Sequence, residues 1–160
     1  MGLHNYHGYR LGEPVFARLL AAASERGLIV QLAVLMEDKR TQHPLLQVAP
    51  VDLSPLPNLI KQNPKLRVGL LNSLQGPKAE LLLRLAANEQ VFFEIATQEN
   101  VGGIGKLLEQ IPARKIFFGS HAPLFYFESA LLKLKESALD EPTKKAISSE
   151  NAHRLLAWKD

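Results

Sequence analysis

Four short and nearly continuous apolar runs place the strongest constraint on how this chain can fold. They cover residues 28–35, 66–71, 91–96 and 115–119, and they read LIVQLAVL, LRVGLL, VFFEIA and KIFFG. Runs this rich in β-branched and aromatic residues, with few polar interruptions, are typical of strands that are covered on both faces. The pattern therefore predicts a parallel sheet inside an α/β fold.

The segments between these runs carry apolar residues at helical spacing. The three clearest stripes are Phe16, Leu19, Leu20 and Ala23; Ala79, Leu82, Leu83 and Ala86; and Ile104, Leu107, Leu108 and Ile111. Turn signals agree, since Ser54-Pro55 and Gly76-Pro77 open predicted helices, and Gly27 and Asn63-Pro64 close others. Because parallel strands need right-handed crossovers, we predict alternating helices and strands, followed by two or three helices at the end.

Composition narrows the class of protein. The chain has 160 residues, of which 46% are hydrophobic and 22% charged, as expected for one globular domain over residues 1–160. Because there is no cysteine, disulfides, thiolate catalysis and cysteine-based metal sites are excluded. The net charge of +3 comes from interspersed lysines and arginines and does not favour nucleic acid. No apolar run spans a bilayer and no signal peptide opens the chain, so we expect a cytoplasmic protein without a membrane partner.

The number of strands is small for a sheet that is buried on both faces. Four complete strands are evident, and Gly2-Leu3-His4 would be the end of a fifth. Such a sheet leaves two edges unpaired and part of one face uncovered. We therefore expect the chain to form homo-oligomers or to pair with a missing N-terminal half.

The last apolar run ends in a turn that carries an imidazole. Its sequence, Phe117-Phe118-Gly119-Ser120-His121-Ala122-Pro123, is small, polar and closed by proline. Barrels and open α/β sheets present their chemistry at the carboxyl ends of strands, which makes position 121 the first candidate for function. The side chain there could bind a metal or transfer a proton, or it could hydrogen-bond to the backbone of the turn.

Three segments of the chain resemble one known family. They read HNYHGY at residues 4–9, MEDKRTQHP at 36–44, and GSHAP at 119–123 followed by FYFESALLKL at 125–134. In these segments the chain resembles the amidohydrolase superfamily, and within it the amidohydrolase-related branch that includes the aminocarboxymuconate-semialdehyde decarboxylases. The resemblance extends over nearly the whole chain but matches only the C-terminal half of the family's domain.

This resemblance implies a fold and a class of reaction. Members of the family are (βα)8 barrels with a divalent metal, zinc or similar, at the carboxyl ends of their strands. The present chain would supply the second half of such a TIM barrel, from the end of strand 4 through strand 8. The implied activity is metal-dependent hydrolysis or decarboxylation of a small organic substrate at the C-terminal rim.

The metal ligands that the resemblance implies are incomplete. The family takes a His-x-His pair from strand 1, histidines from strands 5 and 6, and an aspartate from strand 8. The strand 1 pair has no counterpart, and Ala33, Asn72 and His121 stand at the other three positions. The metal site is therefore degenerate, which leaves it open whether the chain is an enzyme.

Several residues remain candidates for such a site. We predict His121 and Glu94 as catalytic residues, and His4 and His121 as metal ligands. The predicted substrate-binding residues are Glu37, Arg40, His43, Asn72 and Tyr126. Each has a structural alternative, such as an ion pair between Glu94 and Arg67, a frayed N-terminus at His4, or a solvated loop between residues 36 and 50.

Three functions are compatible with these residues. The first is a metal-dependent amidohydrolase or decarboxylase that acts on a small molecule. The second is a non-catalytic half-barrel remnant that binds a ligand or a partner without turnover. The third is a truncated fragment of a full hydrolase.

Overall fold

A computed structural model of the chain describes residues 2–3, 10–38, 40–75 and 77–156. Its centre is a parallel sheet whose five strands follow one another in chain order. The strands are β1 Gly2–Leu3, β2 Ile29–Ala33, β3 Arg67–Leu71, β4 Val91–Glu94 and β5 Ile116–Phe117. Each of the four predicted runs contains one strand, and the pairing of Gly2 and Leu3 with β2 confirms the fifth.

Helices connect the strands as the alternation predicts. Those between strands are α1 Pro14–Glu25, α2 Leu56–Gln62, α3 Ala79–Ala86 and α4 Gly103–Leu108. After β5 come α5 Phe127–Glu136, α6 Glu141–Lys145, a π-helical turn over Ala146–Glu150, and α7 Asn151–Leu156. No helix in the described ranges has the length and apolar character to cross a membrane.

Two local predictions about the helices are wrong. The second helix begins at Leu56, one residue later than the Ser54-Pro55 signal predicts. Instead of capping the helix, Ser54 donates from its N–H and its hydroxyl to the Asp52 carboxylate, at 2.9 and 2.8 Å. In α3 the buried stripe includes Leu85, whereas Leu83 is exposed. The second predicted opening signal contains Gly76, which lies outside the described residues.

The two faces of the sheet differ in what covers them. The outer face is packed against the helices, and its fully buried side chains are Val30, Leu32, Val68, Leu70, Val91, Phe93 and Ile116. The inner face carries Gln31, Gly69 and Phe92, which the strand register aligns with one another, and Phe117, which it aligns with Glu94. Gln31 is exposed on this face. In a complete barrel the inner face would be the interior, filled by side chains from all strands.

Candidate functional site

The carboxyl ends of β2 to β5 are joined by a chain of polar contacts. The side-chain amide of Asn72 donates to the Leu35 carbonyl at 2.9 Å, and its backbone N–H donates to the Glu94 carboxylate at 3.2 Å. Nε2 of His121 lies 2.7 Å from the Met36 carbonyl. The structure thus brings three predicted site residues, Asn72, Glu94 and His121, to one rim of the sheet.

Glu94 is a buried carboxylate held by backbone groups. Its oxygens accept hydrogen bonds from the N–H groups of Asn72 and Ala96, at 3.2 and 3.1 Å. Burial raises the pKa of Glu94, and the two N–H groups and the charges of His121 and Lys133 oppose that rise only in part. Glu94 ends β4, whereas its alternative partner Arg67 begins β3 at the opposite end of the sheet.

Gly119 makes room for this carboxylate. A Cβ atom at position 119 would lie 2.2 Å from Oε1 of Glu94 and 2.3 Å from its Cγ. Any side chain at 119 would therefore have to displace a buried carboxylate from its two N–H donors. The sequence marks Gly119 as a turn residue, but this packing requirement depends on a contact between two strands.

Asn72 shapes the backbone at the end of β3. Its φ of 51° lies in the left-handed region, which asparagine tolerates better than most residues. Its amide nitrogen is bonded to the Leu35 carbonyl, while its buried Oδ1 has no hydrogen-bond partner among the residues described. The amide therefore ties the loop after β2 to the turn after β3.

His121 also adopts a left-handed backbone conformation, with a φ of 54°. Because a carbonyl can only accept, the contact with the Met36 carbonyl makes Nε2 the protonated ring nitrogen. The imidazole packs edge-on against Phe125, with 5.2 Å between the ring centroids. The side chain therefore links the turn after β5 to the loop after β2.

The described residues do not fit the metal site that the family resemblance implies. No three His, Asp or Glu side chains come together within the described ranges. Ala33 has no side-chain atom that could bind a metal. The side-chain N–H of Asn72 is hydrogen-bonded to the Leu35 carbonyl, and Nε2 of His121 is hydrogen-bonded to the Met36 carbonyl. The other predicted ligand, His4, lies outside the described residues. A divalent ion at this rim would need ligands from elsewhere.

The loop after β2 is tied to the loop after β4 by Arg40. Its guanidinium forms ion pairs with Asp38 and Glu99, and its Nε lies 2.9 Å from the Asp38 carboxylate. The hydrogen bonds from Arg40 lower the pKa of Asp38, and the two carboxylates raise the pKa of Arg40. Nδ1 of His43 accepts from the Leu45 N–H at 3.2 Å.

A cavity of about 370 Å³ opens between these two loops and the start of α5. The predicted residues Glu37 and Tyr126 line it, and so do Thr97 and Lys133, which sequence reasoning missed. Thr97 is 7% exposed, and its hydroxyl has no hydrogen-bond partner in the described part of the chain. Its position, directly after the 91–96 run, is the one signal that could have identified it.

Lys133 extends from α5 into the same cavity. Its Nζ donates to the Ala96 carbonyl at the end of β4. Burial lowers the pKa of Lys133, and the nearby carboxylates of Glu94, Glu99 and Glu136 oppose the shift. The site thus combines a half-buried amine, an unpaired hydroxyl and apolar walls from Leu35 and Phe125.

Comparison with solved structures identifies the fold. Amidohydrolase 2 from Bifidobacterium longum subsp. infantis matches 93% of this chain and 57% of its own, with 17% identity and a TM-score of 0.66. A TIM-barrel protein from Bordetella bronchiseptica matches with a TM-score of 0.71 and 14% identity, over 92% of this chain and 52% of its own. The fold is half a TIM barrel.

A third similar structure carries a metal and an inhibitor. Dihydroxybenzoic acid decarboxylase from Polaromonas, solved with manganese and 2-nitroresorcinol, matches 91% of this half-barrel chain and 55% of its own, with 12% identity and a TM-score of 0.65. The half-barrel chain therefore spans just over half the length of these proteins. No protein-family model matches it, and no curated protein matches its sequence. At the level of the fold, the resemblance to amidohydrolases is confirmed.

The contact between Gly119 and Glu94 yields a stability prediction. We expect Gly119→Ala to lower the free energy of unfolding by about 1–3 kcal/mol, because the new methyl group would overlap a buried carboxylate. Urea denaturation followed by circular dichroism would measure the change.

The matched control is Gly105→Ala in α4, where a Cβ meets nothing within 4 Å. That variant should be neutral or more stable by about 0.5–1 kcal/mol. Equal effects of the two substitutions would contradict the packing argument.

The buried carboxylate also yields a pH prediction. Because the pKa of Glu94 is raised on folding, the folded state holds this proton more tightly than the unfolded state. The contribution of Glu94 to stability is therefore largest at acid pH, and it falls as the pH rises above the reference value of 4.5. We expect the difference in unfolding free energy between wild type and Glu94→Gln to decrease over that range.

Denaturation curves recorded at several pH values between about 4.5 and 8 would measure this difference. The control is Glu109→Gln, which replaces an exposed carboxylate by the same amide. Its difference from wild type gives the baseline against which the pH dependence of Glu94→Gln is compared. A flat Glu94→Gln difference would show that the carboxyl group titrates alike in the folded and unfolded chain.

Proposed function

We propose that the cavity at the carboxyl rim binds a small organic substrate, and that the chain is the substrate-binding half of an amidohydrolase-type hydrolase or decarboxylase. The observation that carries this proposal is that the buried hydroxyl of Thr97, which has no hydrogen-bond partner among the described residues, lines the same cavity as Lys133. A buried polar group without a partner is costly, and a bound ligand would remove that cost. The half-barrel fold supports the same location, since barrels act at this rim.

The chemistry of the cavity limits what it would bind. The carboxylates of Glu37, Asp38 and Glu99 line the cavity, and Arg40 forms ion pairs with the last two. Among the described lining residues, Lys133 is the cation. Aromatic and aliphatic walls from Phe125 and Leu35 suit a flat or compact apolar body. The combination favours an aromatic ligand with oxygen substituents that accept hydrogen bonds from the amine and the hydroxyl.

The chain's own residues would then bind and orient this ligand. Lys133 would hold an acceptor oxygen, and Thr97 would fix the ring by a hydrogen bond. His121 is the predicted group for proton transfer through Nδ1, because Nε2 is bonded to Met36. Glu94 would keep the rim rigid through its backbone contacts.

A second function is favoured by the residues at the family's ligand positions. Ala33 has no side-chain atom that could bind a metal, and the Asn72 amide links two loops through its hydrogen bond to the Leu35 carbonyl. A chain with these residues would bind a small molecule without turning it over. This is the non-catalytic alternative, and it shares the same cavity.

Calorimetric titration with dihydroxybenzoate and with 2-nitroresorcinol tests both functions. We expect binding by the wild type, and an affinity about five- to thirty-fold lower in Thr97→Val and in Lys133→Met, corresponding to about 1–2 kcal/mol for each lost hydrogen bond. The control is Lys135→Met, an exposed lysine on the same helix that does not line this cavity. Equal affinity in all variants, or no binding to the wild type, would contradict the proposed site.

Release of CO2 from dihydroxybenzoate, measured with and without Mn²⁺, separates the two candidates. Release that is slowed in His121→Ala favours the decarboxylase. Binding without release under either condition favours the ligand-binding module.

A further inference from the structure

The edge of β5 that faces away from β4 is covered by residues that follow α6. β5 is the last strand of the sheet, and one side of it pairs with β4. On the other side, the N–H of Phe118 donates to the Ile147 carbonyl at 2.8 Å. The Ile116 carbonyl accepts from the side-chain amide of Asn151 at 2.5 Å. The groups that an additional strand would use are therefore in contact with residues after α6.

The Ile116 carbonyl and the Phe118 N–H are the two groups to which a neighbouring parallel strand would bond. In a parallel ladder, a residue of the incoming strand bonds to the carbonyl before and the N–H after the residue that it faces. For a strand facing Phe117, those groups are the Ile116 carbonyl and the Phe118 N–H. They are the same two that Asn151 and Ile147 satisfy. Asn151 also donates to the Ala113 carbonyl at 2.7 Å, which fixes it beside the strand.

The same segment covers part of the inner face of the sheet. Leu155 is 4% exposed, and its Cδ2 lies 3.8 Å from where a Cβ would stand at Gly69. The ring of Phe117 approaches the same point to 3.5 Å. One guanidinium nitrogen of Arg67 donates to the Leu155 carbonyl at 2.6 Å. A residue of the C-terminal helix thus fills a position that the interior side chains of a complete barrel would occupy.

We propose that residues 146–156, the C-terminal segment, act as an intramolecular substitute for the neighbouring barrel strand at β5. The β5 edge and the adjoining inner face form an interaction surface for a parallel strand of a second copy of this chain. The C-terminal segment occupies that surface and competes with such a strand. A larger barrel can therefore close at β5 only after the C-terminal segment has left this edge. This inference rests on the fold and is independent of the ligand proposed for the cavity.

Hydrogen exchange tests the occupancy of the edge. In the 160-residue chain, Asn151→Ala removes two hydrogen bonds that hold the segment, and we expect the Phe118 amide to exchange about tenfold faster. The amide of Leu70 in the central strand should be unchanged. The control is His153→Ala, an exposed residue of the same helix, which should leave Phe118 protected. Unchanged exchange at Phe118 in Asn151→Ala would overturn the proposal.

Cross-linking tests the same placement by a second route. Because the chain has no cysteine, the double variant Gly69→Cys with Leu155→Cys carries only the intended pair of thiols. Under oxidation or with a short thiol-bridging reagent, we expect an intramolecular link, detected by intact mass and gel mobility. The control pairs Gly69→Cys with Leu156→Cys, whose side chain is exposed, and should link far less. Equal linking of the two pairs would overturn the placement of Leu155.

Light scattering tests the competition. Asn151→Ala should self-associate more than the wild type, and a chain linked between positions 69 and 155 should return to the wild-type mass. Faster exchange at Phe118 without any rise in mass would contradict competition for the β5 edge.

Discussion

The rim of this sheet depends on one buried carboxylate that serves two backbone donors. Where parallel strands end, their N–H groups lose their ladder partners and need other acceptors. Glu94 supplies them for Asn72 and Ala96, and so joins the ends of β3 and β4. These hydrogen bonds and the nearby cations offset only part of the cost of burying the charge, so burial still raises the pKa of Glu94. Gly119, Asn72 and Lys133 are arranged around that carboxylate.

The sequence predicts the architecture well because the architecture follows from local pattern. The apolar runs predicted strands β2 to β5, and the outer-face residues Val30, Leu70 and Phe93 are fully buried as such runs require. The predicted start of α2 was wrong because one side chain changes the local preference. The Asp52 carboxylate accepts a hydrogen bond from the Ser54 N–H, and Ser54 does not cap the helix. The buried face of α3 was also misplaced, because a helix this short tolerates more than one apolar stripe.

The site was predictable only in part. Position 121 stands out because a polar turn after a buried strand is a local signal. Thr97 and Lys133 could not be paired from the sequence, because one follows β4 and the other lies in α5. Their proximity is a product of tertiary packing. Likewise, the spatial reason for Gly119 is a contact between neighbouring strand ends, which no spacing along the chain encodes.

The loops and the strand ends at this rim are held by different kinds of interaction. Arg40 links the loops after β2 and β4 through ion pairs in which it is largely exposed, and such pairs weaken as salt screens them. Glu94 is buried, and the surrounding protein shields its carboxylate from dissolved ions. A rise in ionic strength would therefore loosen the two loops from each other while the ends of β3 and β4 stay joined.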